Sequence, residues 1–369
     1  MNRQSVDRNV PSRLSRLVSL AIFLFIGLSS SQATTLLVAN NGTDSPTCGV
    51  PGNPCRSISR AIQNAGAGNT IIVGPGVYGD LNRNGDFTDA GDESAEIGTG
   101  CNCIVKVDKP LTILSRDGAT VTIIDAGGNT ADVVTILADG VTFGKLKKGF
   151  TLLDAGGNGL TISNGVGRVS VVGNRSMGNT QDGFLSADGT SSNLFSGNIA
   201  VNDGQDGFGL LGDNHTLKGN AATANGGSGF NVSGTNVVLT GNVASDNSLD
   251  GVEVSASTHS VTITHNALLS NERFGLLIAI NKSATVTFNN IFGNNMVPVD
   301  VFGQTNVTNV GLANITGTNH PPLGAPDNFF GAATGPGADP ADDVGDFNGS
   351  KTATGPVATK EIKVKPILP

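Results

Sequence analysis

Gly173-Asn174, Gly197-Asn198, Gly219-Asn220, Gly241-Asn242, His265-Asn266 and Asn289-Asn290 are six writings of one short phrase, all between residues 168 and 300. Their anchoring Asn residues stand 24, 22, 22, 24 and 24 positions apart. A period of this size marks a solenoid, in which no repeat can bury its apolar face without its neighbours. Three residues before the anchor comes an apolar side chain: Val171, Phe195, Leu217, Leu239, Ile263. Five before it stand Val169, Asn193, His215, Val237 and Val261. A second Asn follows the anchor at Asn179, Asn225, Asn247 and Asn271, with Asn202 one place early. Then a Gly precedes a large apolar residue: Gly183-Phe184, Gly207-Phe208, Gly229-Phe230, Gly251-Val252, Gly275-Leu276.

Alternation of this kind means short strands with one face buried, and no repeat has room for a helix. The pattern predicts an all-β parallel β-helix with coils about 4.8 Å apart. Equivalent side chains then stack, so Phe184, Phe208 and Phe230 form an internal column. The anchor Asn residues form a ladder at a bend, where Asn and Gly share the capacity for left-handed backbone. The composition agrees, with 52 Gly, one Tyr and no Trp in 369 residues.

Working outward, Arg3, Arg8, Arg13 and Arg16 precede an apolar run from Leu17 to Leu28, and Ser31-Gln32-Ala33 offers a cleavage site. Residues 1–33 are therefore expected to be a signal peptide, with an uncleaved anchor as the other reading. The mature chain is expected to be a soluble, secreted or periplasmic monomer, with association at the cell surface as a further expectation. A net charge of −8 argues against nucleic acid and against an anionic membrane surface as partners. Cys48 and Cys55 flank a Gly/Pro turn and suit a disulfide in an oxidising compartment. Cys101 and Cys103 are too close for an ordinary bridge, and a four-thiolate zinc site lacks the usual spacing. Three connectivities stay open. Arg56–Ala65 reads as a short amphipathic helix that covers the open N-terminal end of the solenoid.

Here the chain resembles a known family. Val38-Ala39-Asn40-Asn41-Gly42-Thr43-Asp44, the helix, Gly68-Asn69-Thr70-Ile71 and Gly74-Pro75-Gly76-Val77-Tyr78 are similar to the opening of secreted right-handed β-helix proteins of the pectin-lyase-like superfamily. Asn69 stands where the family form has Asp. Asn328-Phe329-Phe330-Gly331 with Thr334-Gly335-Pro336 resembles the family's closing motif, with Phe replacing Trp. The resemblance implies a right-handed solenoid with these divisions: 34–103 cap, first coils and acidic loop; 104–315 repeats; 316–369 C-terminal cap and tail. It implies no single activity, because the superfamily holds lyases, hydrolases, epimerases and proteins without a known reaction. The hydrolases' Gly-His-Gly and the epimerases' Asp-Pro-His-Asp are missing.

Two places carry candidate chemistry. Asp80, Asn82, Asn84, Asp86, Asp89 and Asp92 put oxygen ligands at alternating positions around Gly85, as a calcium loop needs. Gly91 falls where an EF-hand has its bidentate acid, so the loop is nearer to looser extracellular calcium loops. The alternative is a solvated acidic loop. The catalytic candidates are the Asp residues before the repeat Gly (Asp182, Asp206, Asp250), with Glu253, His215, Lys218 and Arg273 near them. Against them, Asp before Gly also caps a turn through its own backbone. Sugar-stacking aromatics look scarce. The sequence points first to an exported β-helix that binds polysaccharide or serves structurally at the cell surface. The alternative is a carbohydrate-active lyase or hydrolase.

Overall fold

The computed structural model describes residues 33–98, 100–255, 258–278, 283–294, 299–301, 304–307, 310–314, 327–331, 343–346 and 362. The expected signal peptide and the Thr334-Gly335-Pro336 part of the closing motif lie outside them. Among the described residues, no helix is long and apolar enough to cross a membrane.

The strands form three parallel sheets of ten, nine and ten strands, and Val299–Val301 pairs antiparallel with Gln304–Val307 as a separate two-stranded sheet. One coil shows the plan: Ser170–Val172 lies in sheet 1, Arg175–Met177 in sheet 2 and Phe184–Ser186 in sheet 3. Each strand pairs in register with its counterpart one coil on, as in Phe184↔Phe208↔Phe230. Those three rings stack inside with centroids 4.9 Å apart, the spacing of the strands themselves.

The bends are held by amide ladders. The backbone N–H of Asn198 donates to Asn220 Oδ1, that of Asn220 to Asn242, and that of Asn242 to Asn266, each at 2.9 Å. The next member is Asn289, which accepts from the Asn266 N–H at 2.9 Å, and Asn328 follows at 2.8 Å. The sixth anchor is therefore Asn289 rather than Asn290, and the Asn of the closing motif ends the column. A second ladder runs through Asn179, Asp203, Asn225, Asn247 and Asn271. Asp203, buried, takes the place expected of Asn202, which is exposed.

The N-terminal helix α1 spans Ile58–Asn64 and buries Ile58, Ala61 and Ile62 against the first strands. Seven residues are too few to hold a helix alone. Carboxylates from outside it supply the missing acceptors. Glu93 Oε1 and Oε2 accept from the Ile58 and Ser59 N–H groups at 2.7 and 2.6 Å. Asp44 Oδ1 accepts from Arg56 and Ser57. Both pairs of cysteines are joined, Cys48 to Cys55 and Cys101 to Cys103. That selects one of the three connectivities and removes the thiolate zinc alternative. Beyond residue 346 only Ile362 is described, and its backbone exchanges two hydrogen bonds with the Asn290 amide.

Candidate functional site

The residue before each repeat Gly opens a strand of sheet 3. The Gly is required by space: a Cβ on Gly183, Gly207 or Gly229 would stand 2.7–2.8 Å from the carbonyl oxygen of the Gly one coil on. The side chain before it then lies over the next coil's backbone. Asn158 Oδ1 accepts from Asp182 N–H, Asp182 Oδ1 from Asp206 N–H, both at 2.9 Å, and Asp206 Oδ1 from Ser228 N–H at 2.6 Å. Asp250 Oδ1 accepts from Phe274 N–H at 3.0 Å. One oxygen of each Asp thus ties coil to coil, through the N–H of the next coil rather than the backbone of its own turn.

The second oxygen does something else. Asp206 Oδ2 accepts from Asn231 Nδ2 at 2.9 Å. Asp250 receives a two-pronged bond from Arg273, whose Nη2 also reaches Glu253 Oε2 at 3.2 Å. Ser228 Oγ donates to the same Glu253 oxygen at 3.3 Å. Asp182 Oδ2 lies under Gly209, 2.6 Å from where a Cβ would be. A continuous polar network therefore runs along the outer face of sheet 3. Asp206, Glu253 and Arg273 are partly exposed, and Asp182 and Asp250 sit behind them.

Burial pushes the Asp182 carboxyl up to about 7, and repulsion from Asp206 adds to it. Asp206 is raised by burial against its bonds to Asn231 and Ser228, with Glu253 repelling it. Asp250 is pushed up to about 6 by burial, against the pull of Arg273. Two neighbouring carboxyl groups that resist ionisation can hold a proton near neutrality.

Of the expected catalytic residues, Asp182, Asp206, Asp250, Glu253 and Arg273 come together. Lys218 does not: it is exposed on sheet 1, away from the acidic face. His215 is fully buried, with Nδ1 accepting from Asn193 N–H and Nε2 beside Ser186 and Thr190 hydroxyls. Burial lowers its pKa to about 4, so it is a packed neutral ring. Leu277, one residue after Leu276 on the alternation of its strand, is buried as well. Asn231 and Ser228 were not foreseen as partners, although their offsets from the Gly placed them on this face.

In the acidic loop, Asn82, Asn84 and Asp86 each accept from the N–H two residues on, a run of Asx turns. Asp80 is buried and accepts from Asn84 and Gly85 N–H. Asp89 Oδ2 accepts from both Asn82 and Asn84 amides. Asp92 Oδ1 accepts from Leu81 N–H, whereas its buried Oδ2 has no partner. Burial first, then the charges of Asp80 and Asp89, hold Asp92 above the usual carboxylate range.

Residues 154–319 match a family model described as right handed beta helix region. Over that stretch, a little under half of its length, the chain is similar to right-handed β-helix proteins. A comparison of the β-helix with curated proteins found no match. Among solved structures it is similar to the A-module of the mannuronan C-5 epimerase AlgE6 of Azotobacter vinelandii, at 16% identity and TM-score 0.43, covering 83% of this chain and 94% of that one. It is also similar to pectate lyase Pel9A, at 17% identity and TM-score 0.41, covering 74% and 82%. A rhamnogalacturonan lyase aligns at 13% identity and TM-score 0.41, covering 87% and 90%.

Proposed function

We propose that the protein is an exported carbohydrate-active enzyme, a glycoside hydrolase that works on a neutral polysaccharide laid along sheet 3. The observation that carries this reading is the carboxylate network on the outer face of that sheet. A line of acids repeated at the coil spacing suits a linear polymer. Four carboxyl groups with one Arg among them repel a uronate chain, which favours a neutral substrate. The Asp182–Asp206 pair supplies the proton for the leaving glycosidic oxygen, and Glu253 activates the water. Arg273 and Ser228 orient Glu253. Two disulfides fit an oxidising compartment.

The test is a reducing-end assay over a panel of neutral and acidic polysaccharides, repeated with Glu253→Gln and Asp206→Asn. Each replacement keeps an oxygen for the bonds described above, so circular dichroism should be unchanged. A fall in rate of about 10²–10⁴-fold is expected. No turnover of any polymer, or variants as fast as the parent, would sink the reading.

We also propose calcium as the ligand of the loop from Asp80 to Asp92. Its support is the Asp92 oxygen, buried without a donor beside two further acids.

A further inference from the structure

The turn leaving sheet 1 needs left-handed backbone in every coil. Gly173, Gly197, Gly219 and Gly241 supply it at φ 62–69°. In the next two coils the position is taken by His265 and Phe288, both at φ 58°. A bulky side chain at this φ is an outlier that the surroundings must enforce. The fold does not call for the rings. Asn266 and Asn289 keep the ladder intact directly after them, and both rings lie on the surface, with Phe288 42% exposed. They stack on one another at 5.2 Å between centroids, with planes 26° apart.

Polar groups border the pair. Thr264 Oγ1 bonds His265 Nδ1 at 2.9 Å and lies 3.4 Å from Thr287 Oγ1. On the same outer face, Thr262 is partly exposed and Thr285 exposed, alternating with buried Ile263 and Val286. Exposed rings beside a row of hydroxyl groups form the two halves of a sugar-binding surface. The apolar C–H face of a pyranose packs on the electron-rich ring face, and its hydroxyls exchange hydrogen bonds with the threonines.

We propose that His265 and Phe288 are a stacking platform for a pyranose polysaccharide on the edge of sheet 1. The site is on a different sheet from the acidic network and does not rest on the hydrolase reading. Strain makes it testable, because glycine at either position removes the ring and suits the backbone better. Affinity electrophoresis through hydroxyethylcellulose and through polygalacturonate would be run on the full protein and on Phe288→Gly and His265→Gly. Thermal unfolding would be measured in parallel.

The parent protein is expected to be retarded by at least one polymer. Each glycine variant should bind at least about tenfold more weakly, with an unchanged or higher melting midpoint. Glu253→Gln, which disables the proposed chemistry, should bind like the parent. Retardation of the parent by neither polymer, glycine variants that bind as it does, or a lowered midpoint in those variants would each overturn the platform.

Discussion

Asp203 stands in a ladder where the neighbouring coils place Asn179 and Asn225, and its chemistry differs from theirs by one atom. Its Oδ1 does what an Asn oxygen would, accepting from the Asn179 N–H at 3.0 Å and from the Asn179 amide at 2.9 Å. Its Oδ2 occupies the place of the amide nitrogen and is buried without a partner. Asn225 and Asn247 use that nitrogen to reach the carbonyls of Ala200 and Ala222. Burial accordingly raises Asp203 to about 6, against the bonds from Asn179. A raised carboxyl pKa favours the folded state while the group is protonated, and that advantage is lost as pH climbs from about 4 to about 6. Asp203→Asn should therefore stabilise the protein by on the order of 1–2 kcal/mol at pH 8 and by much less at pH 4. Urea denaturation at the two pH values decides it. An equal gain at both, or a loss at pH 8, would show that the missing donor is not the reason for the shift.

The acidic loop and helix α1 behave as one element, because Glu93 follows Asp92 directly and caps the helix with both oxygens. An ion that fixes Asp92 should fix Glu93 and the helix with it. Calcium at about a hundred times its dissociation constant should add roughly 2.7 kcal/mol to the unfolding free energy. Asp92→Asn keeps an acceptor for Leu81 but should lose the effect. Calorimetric titration and melting with and without chelator measure both, and an unshifted midpoint on adding calcium would exclude the site. At this scale the sequence was readable where function follows periodicity. The strands, the Phe column and the anchor ladder were legible because each coil repeats the same burial problem at the same offset, whereas the second ladder showed only as a recurring Asn. The acidic face was legible only as a column of Asp, since spacing does not tell which carboxylate oxygen serves the next coil and which turns outward. Arg273 joins Asp250 from a position that Gln181, Gln205, Gly227 and Leu249 fill in the earlier coils, a local exception with no periodic signal. The stacked rings were hidden by reading Asn290 as the anchor. With Asn289 in the ladder, Phe288 falls in line with the turn glycines.

For the whole molecule, burial of acids in a solenoid sets the direction of its pH dependence. Glu93 and Asp182 are raised to about 7, and Asp203 and Asp250 to about 6, in every case with burial as the leading cause. Each is protonated in the fold at a pH where the unfolded chain has ionised it, so each contributes stability below about pH 4 that disappears as pH rises to 6 or 7. For Asp182 the move from 3.8 to about 7 corresponds to at most about 4 kcal/mol. His215 opposes them. Its pKa is lowered to about 4 by burial, so its contribution is present above about 6.5 and is lost as pH falls toward 4. Four raised acids outweigh one lowered base, and the protein should be more stable at pH 5 than at pH 8. With calcium chelated, the melting midpoint should fall by roughly 5–10 °C across that interval. Asp182→Asn should flatten part of the slope, whereas an exposed change such as Lys218→Gln should leave it intact. A midpoint that is level or rises from pH 5 to pH 8 would mean that the buried acids are ionised in the fold, held so by the ladder N–H groups and Arg273. The Asp182–Asp206 pair would then have no proton to give a glycosidic oxygen at neutral pH, and the hydrolase reading would fall with it.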